Sequence, residues 1–168
     1  MSIQPGDPIP SMSLQAASST GPQDIDTSQL FGGGKRAVLF GVPGAFTPTC
    51  SERHLPGYVQ HHEEFAKRGI AVYCLSVNDP FVMQAWGESQ HVPEGLRMLA
   101  DGNGAFTRAL GLEMDASPFG MGLRGRRFAL YAENGVARAV EVEAPGEFRV
   151  SSAEAMLQTI DSLPPNPA

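Results

Sequence analysis

The sequence predicts an α/β fold in which a mixed central sheet is flanked by helices. Two apolar runs, AVLFGV (37–42) and IAVYCLSV (70–77), have the length of strands buried on both faces. A helical pattern separates them, so we expect a parallel pair joined by a right-handed crossover. Near the end, an Asn-Gly pair stands between two β-rich runs (127–132 and 136–143), which is a strong hairpin signal. The parallel pair and the hairpin together predict a mixed sheet.

The segments around these strands complete the predicted order. Residues 1–35 are rich in Gly, Pro and Ser and predict a loop-dominated lead-in with short edge strands. The long helix after residue 50 should be kinked by Pro56 and end before Gly69. Its apolar positions recur about one turn apart at Leu55, Val59, His62 and Ala66.

The second half continues with short elements. The remaining predictions are a helix from Pro80 through Trp86, a strand at 96–99, a helix at 105–112 and a closing amphipathic helix at 152–162. Alternating strands and helices followed by a hairpin and a helix are typical of a thioredoxin-like fold. We predict one domain over residues 1–168, because the length suits one domain and no repeat divides it.

Composition excludes several classes of function. The formal net charge is -6, whereas nucleic-acid binding normally requires a basic surface. No apolar stretch approaches the roughly 18 residues of a membrane span, and the N-terminus lacks the pattern of a secretory signal. The chain has 2 cysteines, fewer than a secreted disulfide scaffold of this size would carry. We therefore expect a cytoplasmic protein that binds neither nucleic acid nor membrane.

Cys50 is the first candidate for chemistry, because it falls in the first turn of the long helix. Two caps are possible: Thr47, with Pro48 at the first helical position, or Thr49, with Glu52 completing a capping box. In either case unpaired N–H groups and the helix dipole favour the thiolate, which is the reactive form of cysteine. The site also lies at the carboxyl end of a central strand, where α/β sheets bind ligands.

The surrounding motif identifies a family. GVPGAFTPTCSERHLPG (41–57) resembles the peroxiredoxin signature P-x-x-x-T-x-x-C, with Pro43, Thr47 and Cys50 at its fixed positions. The resemblance continues through CLSVNDPFVMQAW (74–86), LADGNGAFTRALGLE (99–113), RRFAL (126–130) and GEFRVSSAEAML (146–157), and so covers nearly the whole chain. It is strongest to the type II, or peroxiredoxin 5-like, branch in its plant and bacterial form.

The resemblance implies a role for each matching residue. Cys50 would attack a hydroperoxide and become a sulfenic acid, while Thr47 would hydrogen-bond the thiolate and the peroxide. Pro43 would shield the site from water. Arg127 would hold the thiolate and the peroxide oxygens, a task for which a permanently charged guanidinium is suited. The neighbouring Arg124 and Arg126 are interpreted as a solvated basic loop.

The sulfenic acid must be reduced again. Mammalian-type members carry a second cysteine late in the chain, where this sequence has Ser151 and Ser152; plant-type members carry one where Cys74 stands. Helix and strand lengths leave Cys74 about 12 Å from Cys50 along the axis, whereas a disulfide needs Cα atoms within about 7 Å. We therefore interpret Cys74 as a core residue and expect glutathione or glutaredoxin as reductant, with thioredoxin as the alternative.

Weaker patterns are interpreted structurally. His54, His61 and His62 have poor spacing for a metal site and predict a solvated face with one core-edge histidine. Residues 32–35, GGGK, lack the spacing of a phosphate loop. The sequence thus predicts neither a bound metal nor a cofactor.

Some alternatives stay open at this stage. Phe46, Phe81 and Trp86 fit either the core or the interface of a non-covalent homodimer, which the resemblance implies. Besides a peroxidase, Cys50 could serve a disulfide exchanger, although that chemistry normally uses Cys-x-x-Cys, or a redox sensor.

Overall fold

The computed structural model describes residues 1–164, and its centre is a seven-stranded sheet with the strand order β2-β1-β5-β4-β3-β8-β9. The strands are β1 (Ser13–Ala16), β2 (Gln23–Asp26), β3 (Arg36–Val42), β4 (Ile70–Ser76), β5 (Leu96–Ala100), β6 (Glu113–Asp115), β7 (Leu123–Gly125), β8 (Phe128–Glu133) and β9 (Val136–Val142). β6 and β7 form a separate antiparallel pair. The last four residues of the predicted domain, 165–168, lie outside the described part.

Helices cover both faces of this sheet. They are α1 (Thr27–Phe31), α2 (Leu55–Gln60), α3 (His62–Lys67), α4 (Pro80–Ser89), α5 (Ala105–Leu110) and α6 (Ala153–Ser162), with a π-helical turn at Cys50–His54 and a 3-10 turn at Ser117–Phe119. β3, β4 and β5 are parallel, and the other pairings in the sheet are antiparallel. The predicted mixed sheet of a thioredoxin-like fold is confirmed.

Alternation along the strands creates two apolar cores. In β3, Val38 and Phe40 face the core beneath α2, α3, α4 and α6, whereas Ala37 and Leu39 face the core beneath α1 and α5. Side chains on a strand point alternately to opposite faces, so a doubly covered sheet requires this continuous apolar run. The run predicted at 37–42 is therefore a central strand, as expected.

The long helix after residue 50 differs from the prediction in its buried face. Tyr58 and Phe65 are fully buried, whereas Ala66 is exposed and His62 only half-buried. The π-helical turn adds a residue to the first turn, and a break at His61 separates α2 from α3. Both features shift the helical phase, so a uniform period of 3.6 residues assigns the wrong face beyond Leu55.

The hairpin and the lead-in complete the sheet. Asn134 and Gly135 have φ angles of 48° and 79°, as a two-residue turn between right-twisted strands requires. The short strands predicted for the lead-in are β1 and β2; β2 is at the edge of the sheet as expected, whereas β1 is paired with β2 on one side and β5 on the other. The helix α1 was not predicted. Among the described residues, no helix is long and apolar enough to span a membrane.

Candidate active site

Cys50 lies where the loop after β3 enters the helix. The helix begins at Pro48, and its first hydrogen bond runs from Ser51 N–H to Thr47 O at 2.9 Å. Thr49 is itself helical (φ −64°, ψ −37°) and makes no capping bond, so the alternative cap at Thr49 is wrong. The Cys50 side chain is fully buried.

The loop before Cys50 is held by short polar contacts. The Thr47 hydroxyl donates to Gly44 O at 2.7 Å, and Ala45 N–H donates to the Asn78 side chain at 3.0 Å. The single Thr47 proton is therefore directed to the loop and not to the Cys50 sulfur, which differs from the expected thiolate contact. The hydroxyl oxygen keeps lone pairs that can accept a proton donor. Pro43 directly follows β3 and is half-buried.

Arg127 joins Cys50 and His54. Its Nη2 donates to Cys50 Sγ at 3.2 Å, and its Nη1 lies 2.9 Å from His54 Nδ1. Arg127 immediately precedes β8, whose first residue, Phe128, pairs with Gly41 of β3. A Cβ atom at Gly41 would lie 2.1 Å from the Phe128 ring, so glycine is needed here for the close approach of the two strands.

His54 is fully buried and neutral. Its Nε2 lies 3.0 Å from Ser151 O, an acceptor, so Nε2 carries the proton and Nδ1 accepts from Arg127. Burial, and secondly the positive charge of Arg127, lower the pKa of His54 to about 3. Tyr58 also donates to Ser151 O, at 2.8 Å. The Phe148 ring packs on His54 with centroids 5.1 Å apart.

Glu143 forms the outer part of the same network. Its carboxylate accepts from the backbone N–H groups of Arg149, Val150 and Ser151, each at 2.8 Å, and from the Ser151 hydroxyl at 2.7 Å. Burial opposes its ionisation, but these hydrogen bonds outweigh burial and lower the pKa of Glu143.

Arg124 is not the solvated side chain that the sequence suggested. It is half-buried, and its guanidinium donates to Val77 O and Met121 O, each at 3.0 Å. It therefore joins two loops at the carboxyl end of the sheet. Arg126 is also half-buried and reaches Glu143 O at 3.5 Å. The sequence alone did not reveal that Arg124, Arg126 and Arg127 each bond to different partners.

Cys74 lies in the core, as predicted. It is fully buried on β4, level with Phe40 of β3. Burial, with a smaller contribution from nearby Cys50, raises the pKa of the Cys74 thiol. Both cysteines are free thiols.

The aromatic residues near the site divide into two groups. Trp86 is fully buried and donates to Ser51 Oγ at 3.0 Å, so it belongs to the core. Phe46, Phe81 and Phe119 are 56%, 71% and 79% exposed. Phe46 lies on the loop after β3, Phe81 in the first turn of α4 and Phe119 at the end of the 3-10 turn. Phe46 and Phe81 thus follow the carboxyl ends of β3 and β4, the end of the sheet that carries Cys50.

The other histidines do not form a metal site. His61 pairs with Glu154 at 2.8 Å. Within residues 1–164, no group of three His, Cys, Asp or Glu side chains could hold a metal ion. Of the four histidines, the sequence singled out none for catalysis, although His54 lies one helical turn after Cys50 and therefore on the same face.

The chain is similar to known proteins in both sequence and fold. The Redoxin family matches residues 4–157. Peroxiredoxin-2B of Arabidopsis thaliana is 41% identical over 159 residues, covering 94% of this chain and 98% of the relative. The crystal structure of reduced Prx3 from Vibrio vulnificus in complex with hydrogen peroxide is 47% identical with a TM-score of 0.88, covering 94% of this chain and 99% of that one.

The chain belongs to the type II peroxiredoxins. Peroxiredoxin-2E of Arabidopsis thaliana, described as chloroplastic, is 44% identical over 163 residues, covering 95% of this chain and 70% of the relative. This peroxiredoxin is a thiol-dependent peroxidase with an antioxidant function. Its substrate is a hydroperoxide and its reductant is a thiol.

Proposed function

We propose that Cys50 is the peroxidatic residue and that Arg127 activates it. The contact that supports this most directly is the 3.2 Å hydrogen bond from Arg127 to the Cys50 sulfur. The Cys50 thiolate attacks the distal oxygen of the hydroperoxide, an S–O bond forms, and the O–O bond breaks. The sulfur is oxidised to a sulfenic acid, and the leaving alkoxide or hydroxide takes a proton from solvent.

The neighbouring residues assist this step in distinct ways. The Arg127 guanidinium stabilises negative charge as it moves from sulfur to the leaving oxygen. Thr47 Oγ1 donates to Gly44 and accepts the proton of the bound peroxide, which orients the oxygen to be attacked. Pro43, half-buried after β3, limits the access of water.

The sulfenic acid is reduced by an external thiol in this proposal. Glutathione or glutaredoxin attacks Cys50, releasing water and forming a mixed disulfide, and a second thiol regenerates Cys50. The full burial of Cys74 favours this route over a second cysteine within the chain. Thioredoxin is the alternative reductant.

Steady-state turnover distinguishes these routes. Hydroperoxide consumption is followed with glutathione, glutaredoxin and glutathione reductase, then with thioredoxin and its reductase, for wild type and Cys74→Ser. Turnover with glutaredoxin in both proteins supports a one-cysteine peroxidase. Activity that disappears in Cys74→Ser contradicts it and makes Cys74 the resolving residue.

We also propose a cytoplasmic homodimer. Three exposed phenylalanines, Phe46, Phe81 and Phe119, offer apolar area to a second copy, and the first two lie at the end of the sheet that carries the site. Two free thiols fit a reducing compartment. Sedimentation of wild type and Phe81→Asp tests the dimer: we expect dissociation of the variant, and a monomeric wild type contradicts the proposal.

A further inference from the structure

We propose that Glu143 is a positioning residue that fixes Arg127 for the reaction with peroxide. The residue lies just after β9 and is 3% exposed, and the hydrogen bonds of its side chain are made to residues 149–151, not to Cys50. The inference rests on the proposed function of Arg127 and extends it to a buried carboxylate that the signature motif does not contain.

Glu143 is joined to Arg127 through the backbone. Its N–H donates to Arg127 O at 2.9 Å, and its own carbonyl accepts from Arg126 Nη2 at 3.5 Å. These contacts hold the backbone of the arginine segment against the end of β9. The Cα of Arg127 is therefore fixed on one side by Glu143.

The side chain of Glu143 acts on the guanidinium of Arg127 indirectly, through the loop at residues 149–151 and His54. Its carboxylate accepts hydrogen bonds from three successive backbone N–H groups and from one hydroxyl group, all in residues 149–151. Consecutive N–H groups directed at one anion form a concave site that holds a loop in a single conformation. The carbonyl of Ser151 is thereby aimed inward, at His54 and Tyr58.

His54 transmits this position to Arg127. Because Ser151 O accepts the Nε2 proton, His54 presents a bare Nδ1 to Arg127 Nη1 at 2.9 Å. Full burial keeps the imidazole neutral, so this acceptor remains available over the physiological range. With Nη1 engaged by His54, Nη2 is directed at the Cys50 sulfur.

Loss of the carboxylate removes this alignment. In Glu143→Gln the amide has one oxygen for the four donors, and its NH₂ group faces other N–H groups. The loop carrying Ser151 then moves, and the His54–Arg127 contact lengthens. Misplacement of a catalytic group by about 1 Å can lower a rate about a hundredfold.

The test compares two reactions of the same thiol. We measure the rate constants of reduced protein with hydrogen peroxide and with iodoacetamide, a neutral alkylating agent that does not need an oriented guanidinium. Glu143→Gln should slow the peroxide reaction at least tenfold and change alkylation less than about threefold. The matched control is Glu147→Gln, the same substitution at an exposed position of the same loop, with both rates expected near wild type. Equal losses in the two reactions, or no loss with peroxide, overturn the inference.

A double-mutant cycle separates this inference from the proposed function. In an Arg127→Ala background, Glu143→Gln should cause no further loss with peroxide, because it acts through Arg127. Additive losses overturn the positioning role. If Arg127→Ala alone retains the wild-type rate, the proposed function fails instead. Should Glu143→Gln not fold, Glu143→Asp, whose carboxylate is one methylene shorter, replaces it in the cycle with the same criteria.

Discussion

The guanidinium of Arg127 lies 3.2 Å from the sulfur of Cys50, although the two residues are 77 positions apart in the chain. The antiparallel pairing of β8 with β3 produces this contact, because Arg127 precedes β8 at the end of the sheet where β3 leads to Cys50. The fold therefore supplies a cation to a cysteine that already lies at a helix N-terminus.

Replacement of Arg127 tests whether the reaction needs a guanidinium that bonds Cys50 and His54 at the same time. Arg127→Lys keeps the charge but cannot bond both Cys50 and His54 in the same geometry. We expect the rate constant with hydrogen peroxide to fall about 10²- to 10³-fold, the usual effect of removing an oriented electrostatic donor. Stopped-flow measurement gives the rate. Arg108→Lys, at an exposed position of α5, is the control, and an equal loss there would count against a specific role.

Acid stability tests the neutral state of His54. Its pKa is about 3 in the folded protein, against 6.5 for an unperturbed histidine. Below pH 6.5 the unfolded state therefore binds a proton that the folded state does not, and stability falls until the pH reaches about 3. The free energy of unfolding should decrease by up to about 1.4 kcal/mol per pH unit from this group. Urea unfolding of wild type and His54→Asn between pH 7 and pH 4 measures this decrease in the free energy of unfolding. If the free energies of the two proteins change in parallel with pH, the assignment of the decrease to His54 is wrong.

The close approach at Gly41 predicts a coupled loss of stability and activity. In Gly41→Ala, the new methyl group collides with the buried Phe128 ring, and the adjacent Arg127 must move with it. We expect a lower Tm and a slower reaction with peroxide. Gly57→Ala is the control, because it lies within α2 with open space around it and should be neutral or more stable by up to about 1 kcal/mol. A Gly41→Ala protein with wild-type Tm would refute the packing argument.

Cys74→Ser should lower stability without removing peroxidase turnover. A hydroxyl at this fully buried position leaves a polar group in apolar surroundings and lowers the free energy of unfolding by about 1–3 kcal/mol. Cys74→Ala, which adds no polar group, should be less destabilised. Chemical unfolding compares the two variants, and equal stability of wild type and Cys74→Ser would contradict the assigned environment.

Trp86 offers a spectroscopic report on Cys50. It is the single tryptophan of the chain, and its indole N–H donates to Ser51 Oγ, next to Cys50. Oxidation of Cys50 changes the charge and volume at the first helical turn, so Trp86 fluorescence should change when peroxide is added. Cys50→Ser should show no such change. A similar change in that variant would assign the signal to another oxidised group.

The sequence predicted those parts of the fold that depend on local patterns. Continuous apolar runs identified β3 and β4, the Asn-Gly pair identified the hairpin, and the helix start placed Cys50 in its first turn. The helix α1 was missed, although Asp26 and Gln29 form a capping box there, because the surrounding Gly, Pro and Ser residues predicted loop. The face of the long helix was wrong because a π-helical turn does not follow the period of 3.6 residues.

The candidate site was predicted only where a short motif carried it. Pro43, Thr47 and Cys50 stand within eight positions, and Arg127 was found through the family resemblance. Glu143 and Ser151 were missed, since their contacts join the end of β9 to a distant helix turn and depend on tertiary structure. No spacing rule relates residues 93 or 97 positions apart, such as Tyr58 or His54 to Ser151.

The central claim is that Cys50 carries out the reduction of the hydroperoxide. The most direct measurement is peroxide consumption by Cys50→Ser and Cys74→Ser in the glutaredoxin-supported assay, together with mass spectrometry of wild type after one equivalent of peroxide and a sulfenic-acid trap. We predict no consumption by Cys50→Ser, turnover by Cys74→Ser, and a trapped adduct on Cys50. Full activity of Cys50→Ser, or an adduct confined to Cys74, would contradict the account.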